Sequence, residues 1–231
     1  MGNIMNAMLQ NGLDSETLRR NLKIINFKKG EMILQAHQTS EYLHIIQEGL
    51  VKVYCIANNG EEAIEVIYGK QDMFPLSWII QSRKKSVYYQ SITDCRIALL
   101  PRQLLLEYMK SSAAVSLAMC ERVLEQYELY ASRISNLEFK YGRERLAYRL
   151  LMLGARFGKR IDDTVIIPRI NQHDMAAMIN MSRESLSREM SRFEKHDIVK
   201  YTSNSIVILD EQKLRAELGD DASVLFYDPE Y

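Results

Sequence analysis

Hydrophobic and polar positions alternate along this chain with a period that changes from segment to segment. Between Ile24 and about Leu100 the period is two. Tyr42-Leu43-His44-Ile45-Ile46, Leu50-Val51-Lys52-Val53-Tyr54 and Ala63-Ile64-Glu65-Val66-Ile67 are β-rich runs, and residues 87–92 and 96–100 continue the series. Glu48-Gly49, Asn58-Asn59-Gly60 and Gly69-Lys70-Gln71-Asp72 punctuate them as turns. Several short strands at such spacing predict a β-sandwich or roll. Ahead of it, residues 1–22 read as a loosely packed helical lead-in, with Asp14 or Ser15 as the cap of E-T-L-R-R-N-L. Behind it, Pro101 opens a short helix.

A long helix is predicted over 113–139. Ala113, Leu117, Cys120, Leu124, Tyr127, Ala131 and Ile134 recur by four and three along it, about three heptads of a coiled-coil seam. Val123, Tyr130 and Leu137 on another face are expected to pack inward. The seam is then free to pair with a second subunit. A break is expected near 136–142, where Gly142 lowers helix propensity, and the next helix runs to about Phe157.

From Ile170 to His196 the period is that of two short helices meeting across a tight turn. Asn171 is placed to cap the first, with Asp174 three residues on as the reciprocal carboxylate. Asn180 sits where the chain must reverse, and asparagine tolerates the left-handed conformation. Ser182 caps the second helix, whose Leu186, Met190 and Phe193 form an inward stripe. Arg183, Glu184, Ser187, Arg188, Ser191 and Arg192 are left outward as a polar, mostly basic ridge. Taken alone, this is equally a solvated amphipathic helix with an ion pair between Glu184 and Arg188. The next stretch of chain favours DNA: residues 196–209 predict a β-hairpin with a Thr202-Ser203-Asn204-Ser205 tip, the wing of a winged helix-turn-helix.

With these residues, and above all Ser182-Arg183-Glu184-Ser185-Leu186-Ser187-Arg188, the chain resembles the Crp/Fnr family of bacterial transcription regulators from about Asn21 to Leu209. The resemblance implies an α+β protein with a cyclic-nucleotide-binding-like jelly-roll sensor domain over 1–112. Beyond it come a dimerisation helix over 113–139, a winged helix-turn-helix domain over 140–218 and an acidic tail over 219–231. The resemblance also implies double-stranded DNA, a second copy of the chain and RNA polymerase as partners. Base reading would fall to Arg183, Glu184, Ser187 and Arg188, and phosphate contact to Ser182, Arg192 and Lys195. Glu184 can accept from cytosine N4, and Arg188 can grip guanine O6 and N7. The family reads half-sites of the TGTGA or TTGAT kind; this chain has Arg183 as in the first variant and Ser187 as in the second.

Charge adds little on its own. The chain carries 30 basic and 30 acidic residues, but residues 140–210 hold 13 Lys/Arg against 9 Asp/Glu, while 2 face 6 from Glu211 onward. The basic surplus thus lies where phosphate would be met. Cys55, Cys95 and Cys120 are scattered and read as reduced, partly buried thiols of a cytoplasmic protein. There is no signal peptide and no apolar run approaching the ~18 residues of a membrane span.

The sensor half departs from the family's cAMP pattern. The resemblance places a Gly-Glu pair on the ribose, an Arg-Ser pair on the cyclic phosphate and hydroxyls of the long helix on adenine. Here Pro75-Leu76, Lys85-Ser86 and Tyr130-Ala131 stand at those places. The ribose carboxylate is lost, and lysine lacks the bidentate fork of arginine. cAMP is therefore not expected. The tentative effector pocket of Leu76, Lys85, Ser86 and Tyr130 either takes another, more apolar small molecule or is filled by Trp78 and Tyr130. The oxygen-sensing iron–sulfur cluster of some members needs closely spaced N-terminal cysteines, and the first cysteine here is Cys55. His37 and His44 read as surface or strand residues rather than haem or metal ligands. They lie seven apart without the H-x-H of a cupin-type enzyme, and no catalytic motif is present. The competing reading is a small-molecule-binding module whose DNA-reading part is vestigial.

Overall fold

The computed structural model describes residues 3–219 apart from 13, 59, 85 and 140. Asn59, Lys85, Lys140 and the acidic tail beyond Gly219 lie outside the described residues. The chain divides into two compact units, Met1–Tyr127 and Glu128–Tyr231, with the boundary inside the long helix.

The first unit begins with helices α1 (Asn3–Gln10) and α2 (Ser15–Asn21). The Asp14 carboxylate accepts from the Thr17 backbone N–H at 2.8 Å and so caps α2. The lead-in is not loosely packed, contrary to the expectation. Ile4, Met5 and Met8 share one face of α1 and are exposed by 2% or less, joining Leu43, Ile45, Met73, Ala98 and Leu100 in one core. The period-two runs become β1 (Lys23–Phe27), β2 (Met32–Leu34), β3 (Tyr42–Glu48), β4 (Val51–Ile56), β5 (Glu62–Tyr68), β6 (Met73–Phe74), β7 (Tyr88–Ser91) and β8 (Cys95–Pro101). They form two four-stranded sheets, in the orders β1-β8-β3-β6 and β2-β7-β4-β5, the expected roll. Gly49 turns β3 into β4 at φ +92°, and a Cβ there would stand 2.4 Å from the Asp94 carbonyl oxygen. Only glycine fits.

Alternation divides β3 between two environments. Leu43 and Ile45 face the helical side, which also receives Ile79 of α3 (Leu76–Gln81), Leu105 of α4 (Arg102–Ser111) and Val115, Ala118 and Met119 of α5 (Ala113–Glu138). His44 points the other way. Its ring stacks on Phe74 at 5.1 Å, and Phe74 stacks on Tyr89 at 4.5 Å and on Tyr68 at 6.2 Å. Aromatic rings thus meet across the space between the sheets.

The inward face of α5 is not the one expected. Val115, Ala118, Met119, Leu129, Ser132, Ser135 and Asn136 are buried, whereas Val123 is exposed. Small and polar side chains satisfy that face as well as large apolar ones, so hydrophobicity alone misplaced it.

The second unit holds the end of α5, then α6 (Gly142–Phe157), β9 (Lys159–Ile161), β10 (Thr164–Pro168), α7 (Gln172–Met178), α8 (Arg183–Lys195), β11 (Val199–Tyr201), β12 (Ser205–Ile208) and α9 (Glu211–Ala216). Its sheet runs β11-β12-β10-β9. Ile167, Ile206, Leu146, Leu150, Phe193 and Leu214 are each fully buried in this unit. Among the described residues no helix is long and apolar enough to cross a membrane.

The stacked His44 gives the first unit a pH dependence. Burial pushes its imidazole from 6.5 down to about 4. The unfolded chain takes up a proton near pH 6.5 that the folded chain refuses until about pH 4. Stability present above that window is therefore lost as the pH falls through it, by about 3 kcal/mol at most. Urea unfolding should show a smaller free energy at pH 4.5 than at pH 7, and His44→Phe should remove that part of the difference. An unaltered difference in the variant refutes the assignment.

Candidate nucleic-acid interface

The helix pair of the second unit is set by its caps and its turn. Asn171 Oδ1 accepts from the Asp174 backbone N–H at 2.7 Å, and Asn171 Nδ2 donates to the Asp174 carboxylate at 2.8 Å. Asp174 therefore reaches the cap's side chain. Met175, Ala176, Met178 and Ile179 are buried, and Asn180 adopts φ +51°, the left-handed conformation that lets the chain reverse. Ser182 Oγ then accepts from the Ser185 N–H at 3.1 Å and caps α8. Leu186 and Phe193 are fully buried and Met190 is 4% exposed, so the opposite side of α8 is turned outward.

Every residue expected to read or touch DNA stands on this helix or at its cap. Arg183, Glu184, Arg188 and Lys195 are exposed, and Ser187 is half-buried. The Glu184–Arg188 ion pair of the bland alternative is not made among the described residues. Arg188 Nη2 instead donates to Ser185 Oγ at 3.2 Å. Two basic groups are tethered by residues the sequence did not single out. Arg183 Nη2 lies 2.9 Å from His173 Nδ1 on α7, and Arg192 Nη2 lies 3.2 Å from both carboxylate oxygens of Glu217, beyond α9. Arg192 is thus engaged rather than free for phosphate.

The wing is formed by β11 and β12, with residues 196–198 and Leu209 of the expected hairpin outside its strands. Its tip is held by Thr202 Oγ1, which accepts from the Ser205 N–H at 2.9 Å, and by Arg169 Nη1, which donates to the Thr202 carbonyl at 2.6 Å. The Arg169 guanidinium also lies over the Tyr201 ring at 4.8 Å, and Tyr201 Oη donates to the Ile170 carbonyl at 2.7 Å. Burial of that hydroxyl raises its pKa.

Of the tentative effector residues, two are described in the first unit and one in the second. Leu76 opens α3 half-buried, and Ser86 is exposed with its Oγ 3.2 Å from His37 Nε2. Lys85 lies outside the described residues. Tyr130 is half-buried on the part of α5 assigned to the second unit. Trp78 does not fill the roll: its Nε1 donates to the Ser40 carbonyl at 2.8 Å, and its ring packs against the helical-side core. With Leu34, Pro75, Val87 and Tyr89 it lines a cavity of about 10 Å³, barely one water. Phe74 stacks there with Tyr89, Tyr68 and His44. Along α5, Leu117, Leu124, Tyr127 and Ile134 are 62%, 60%, 67% and 62% exposed, Cys120 is exposed and Ala131 is half-buried.

Comparison with known proteins follows the same division. Residues 24–112 match the cyclic nucleotide-binding domain family and residues 144–217 match the Crp-like helix-turn-helix domain family, together well over half of the chain. Electron transport regulator A of Shewanella oneidensis is 24% identical over 198 residues, covering 84% of this chain and 77% of its own. The fumarate and nitrate reduction regulatory protein of Vibrio cholerae is 22% identical over 193 residues, covering 83% and 77%. The solved structure of FixK2 from Bradyrhizobium japonicum has the same fold, with a TM-score of 0.74 at 19% identity over 84% of this chain and 96% of that one. With both domain families in their expected order and regulators of this type matching most of its length, the chain belongs to the Crp/Fnr family of transcription regulators.

Proposed function

We propose that this regulator, one of a family that is not enzymatic, acts as a homodimer that reads a palindromic DNA site with α8 in the major groove. The observation that carries the reading is the burial of Leu186, Met190 and Phe193, which leaves Arg183, Glu184 and Arg188 on the solvent side of a well-capped helix. Glu184, without an ion-pair partner among the described residues, and Arg188, with only a serine hydroxyl, are both available to base edges. Glu184 suits a cytosine N4 amine and Arg188 suits guanine O6 and N7, with Ser187 and Arg183 beside them. Ser182 at the helix N-terminus and Lys195 suit phosphates, whereas Arg192 must first leave Glu217. The stripe of Leu117, Leu124, Tyr127 and Ile134, with Cys120 and Ala131 between, supports pairing with a second copy, because so large an apolar line is costly in water. A two-fold dimer sets the half-sites about one helical turn apart, ~34 Å. RNA polymerase is the further partner we assign, and the cytoplasm the compartment.

The stacked interior of the roll, with Leu76 in place of a ribose-binding carboxylate and Lys85 in place of arginine, supports regulation without cAMP. Any effector must then be another small molecule, or none is used. Calorimetry with cAMP and cGMP at millimolar concentration should show no binding, and a micromolar dissociation constant overturns this part of the reading.

The dimer is tested by Leu124→Asp. Two unpaired carboxylates would meet across the seam, at a cost of roughly 3–5 kcal/mol, and sedimentation should show a monomer. A variant that dimerises like the parent removes the seam.

DNA reading is tested by selection of bound duplexes at fixed salt. The parent should yield a palindrome with G·C pairs in each half-site. Arg188→Ala should lose about 1–3 kcal/mol per half-site and relax the guanine preference. Recovery of the same motif with the same preference takes Arg188 off the reading face.

A further inference from the structure

The basic ridge of α8 is restrained from within the protein. Arg192, one turn beyond Arg188, has Nη2 at 3.2 Å from both oxygens of Glu217 and Nη1 at 3.7 Å from Glu189. The Glu217 side chain is 17% exposed and that of Arg192 is 38% exposed, so the pair is partly withdrawn from water. If a phosphate drew Arg192 away, Glu217 would be left poorly hydrated and without its counter-ion. A second anion beside the same guanidinium, unable to replace it, would also repel the phosphate.

We propose that Glu217 limits the affinity of this protein for DNA, by occupying Arg192 in competition with a backbone phosphate. Arg192 is then a reserve phosphate ligand. The competition acts on the part of binding that is blind to sequence, since phosphate contacts carry no base information. Glu217 therefore holds down non-specific binding and leaves the choice among sequences to Arg183, Glu184, Ser187 and Arg188. This inference rests on the DNA-reading assignment above.

The test is Glu217→Gln in the full-length protein, with dissociation constants for the selected site and for a mixed-sequence duplex over a range of salt. Each phosphate newly engaged should steepen the slope of log K against log salt by roughly 0.9. At ~0.1 M salt this corresponds to binding roughly tenfold tighter per half-site, on both duplexes alike. Adding Arg192→Gln should abolish the gain. Glu211→Gln serves as the control for net charge: that carboxylate is held by Arg160 at 2.9 Å and Arg215 at 3.0 Å, away from α8. A purely structural role for Glu217 predicts a lower melting temperature with unchanged or weaker binding, and that result overturns the proposal. So does an equal gain in Glu211→Gln, or a gain that survives Arg192→Gln. Failure of the parent to bind any duplex would overturn the DNA-reading assignment itself, whereas a parent that binds, with Glu217→Gln unchanged, sinks this inference alone.

Discussion

Leu186, Met190 and Phe193 lie on one line along α8, and all three are buried. A helix of 3.6 residues per turn that commits this line to the core has no freedom left over which residues face away from it. Arg183, Glu184 and Arg188 are displayed because that stripe is hidden. Ser182 adds to this by fixing where the helix begins, and Asn180 by allowing the reversal that brings α7 behind it. Arginine and glutamate at these places cost little in the free protein, because each remains in contact with water. Their value lies in being held in one register on a rigid element, which loops supply less well.

The electrostatics of this surface are restrained. A surplus of four basic residues over 140–210 gives a shallow attraction for DNA. Arg192 is offset by Glu217, and Arg183 is in hydrogen-bonding contact with His173. On the proposed reading, weak general attraction and well-placed base-reading groups are complementary in a regulator. A strongly basic face would raise binding to all sequences and spread the protein over competing sites.

Local features of the fold were legible in the sequence, and contacts between distant residues were not. Five of the eight strands of the roll announced themselves by alternation, and Asp14, Asn171 and Ser182 by their cap positions. The left-handed Asn180 was readable because few other residues accept that conformation. Glu217 and His173 could not be found this way. They lie 25 and 10 residues from their arginine partners, and nothing in their own neighbourhoods marks them. The roll interior stayed open in the sequence for a related reason. Either a small molecule or Trp78 with Tyr130 could occupy it on that reading, whereas α3 turns Trp78 toward the Ser40 carbonyl, and Phe74 and Tyr89 meet from opposite sheets. On α5 the inner face carries Ser132, Ser135 and Asn136, so a reading that equates inside with apolar selects the wrong side.

Those polar residues stand near the end of α5, where it gives way to α6 and the helix-turn-helix domain. Asn136 Nδ2 donates to the Arg145 carbonyl at 3.0 Å, across the break that separates α5 from α6. Arg145 in turn donates through Nη1 to the Phe139 carbonyl and through Nε to the Ile179 carbonyl, each at 3.0 Å. One guanidinium therefore ties the chain just past α5 to the turn before α8. Gly142 tightens the junction, because a Cβ there would stand 2.7 Å from Met181 Cε. Buried carbonyls that lose such a donor are costly. A shift at the end of α5 must then either carry Ile179 and the turn with it or leave those carbonyls unsatisfied. Carrying them is the cheaper course, so the last turn of α5, the start of α6 and the turn before α8 are held as one piece.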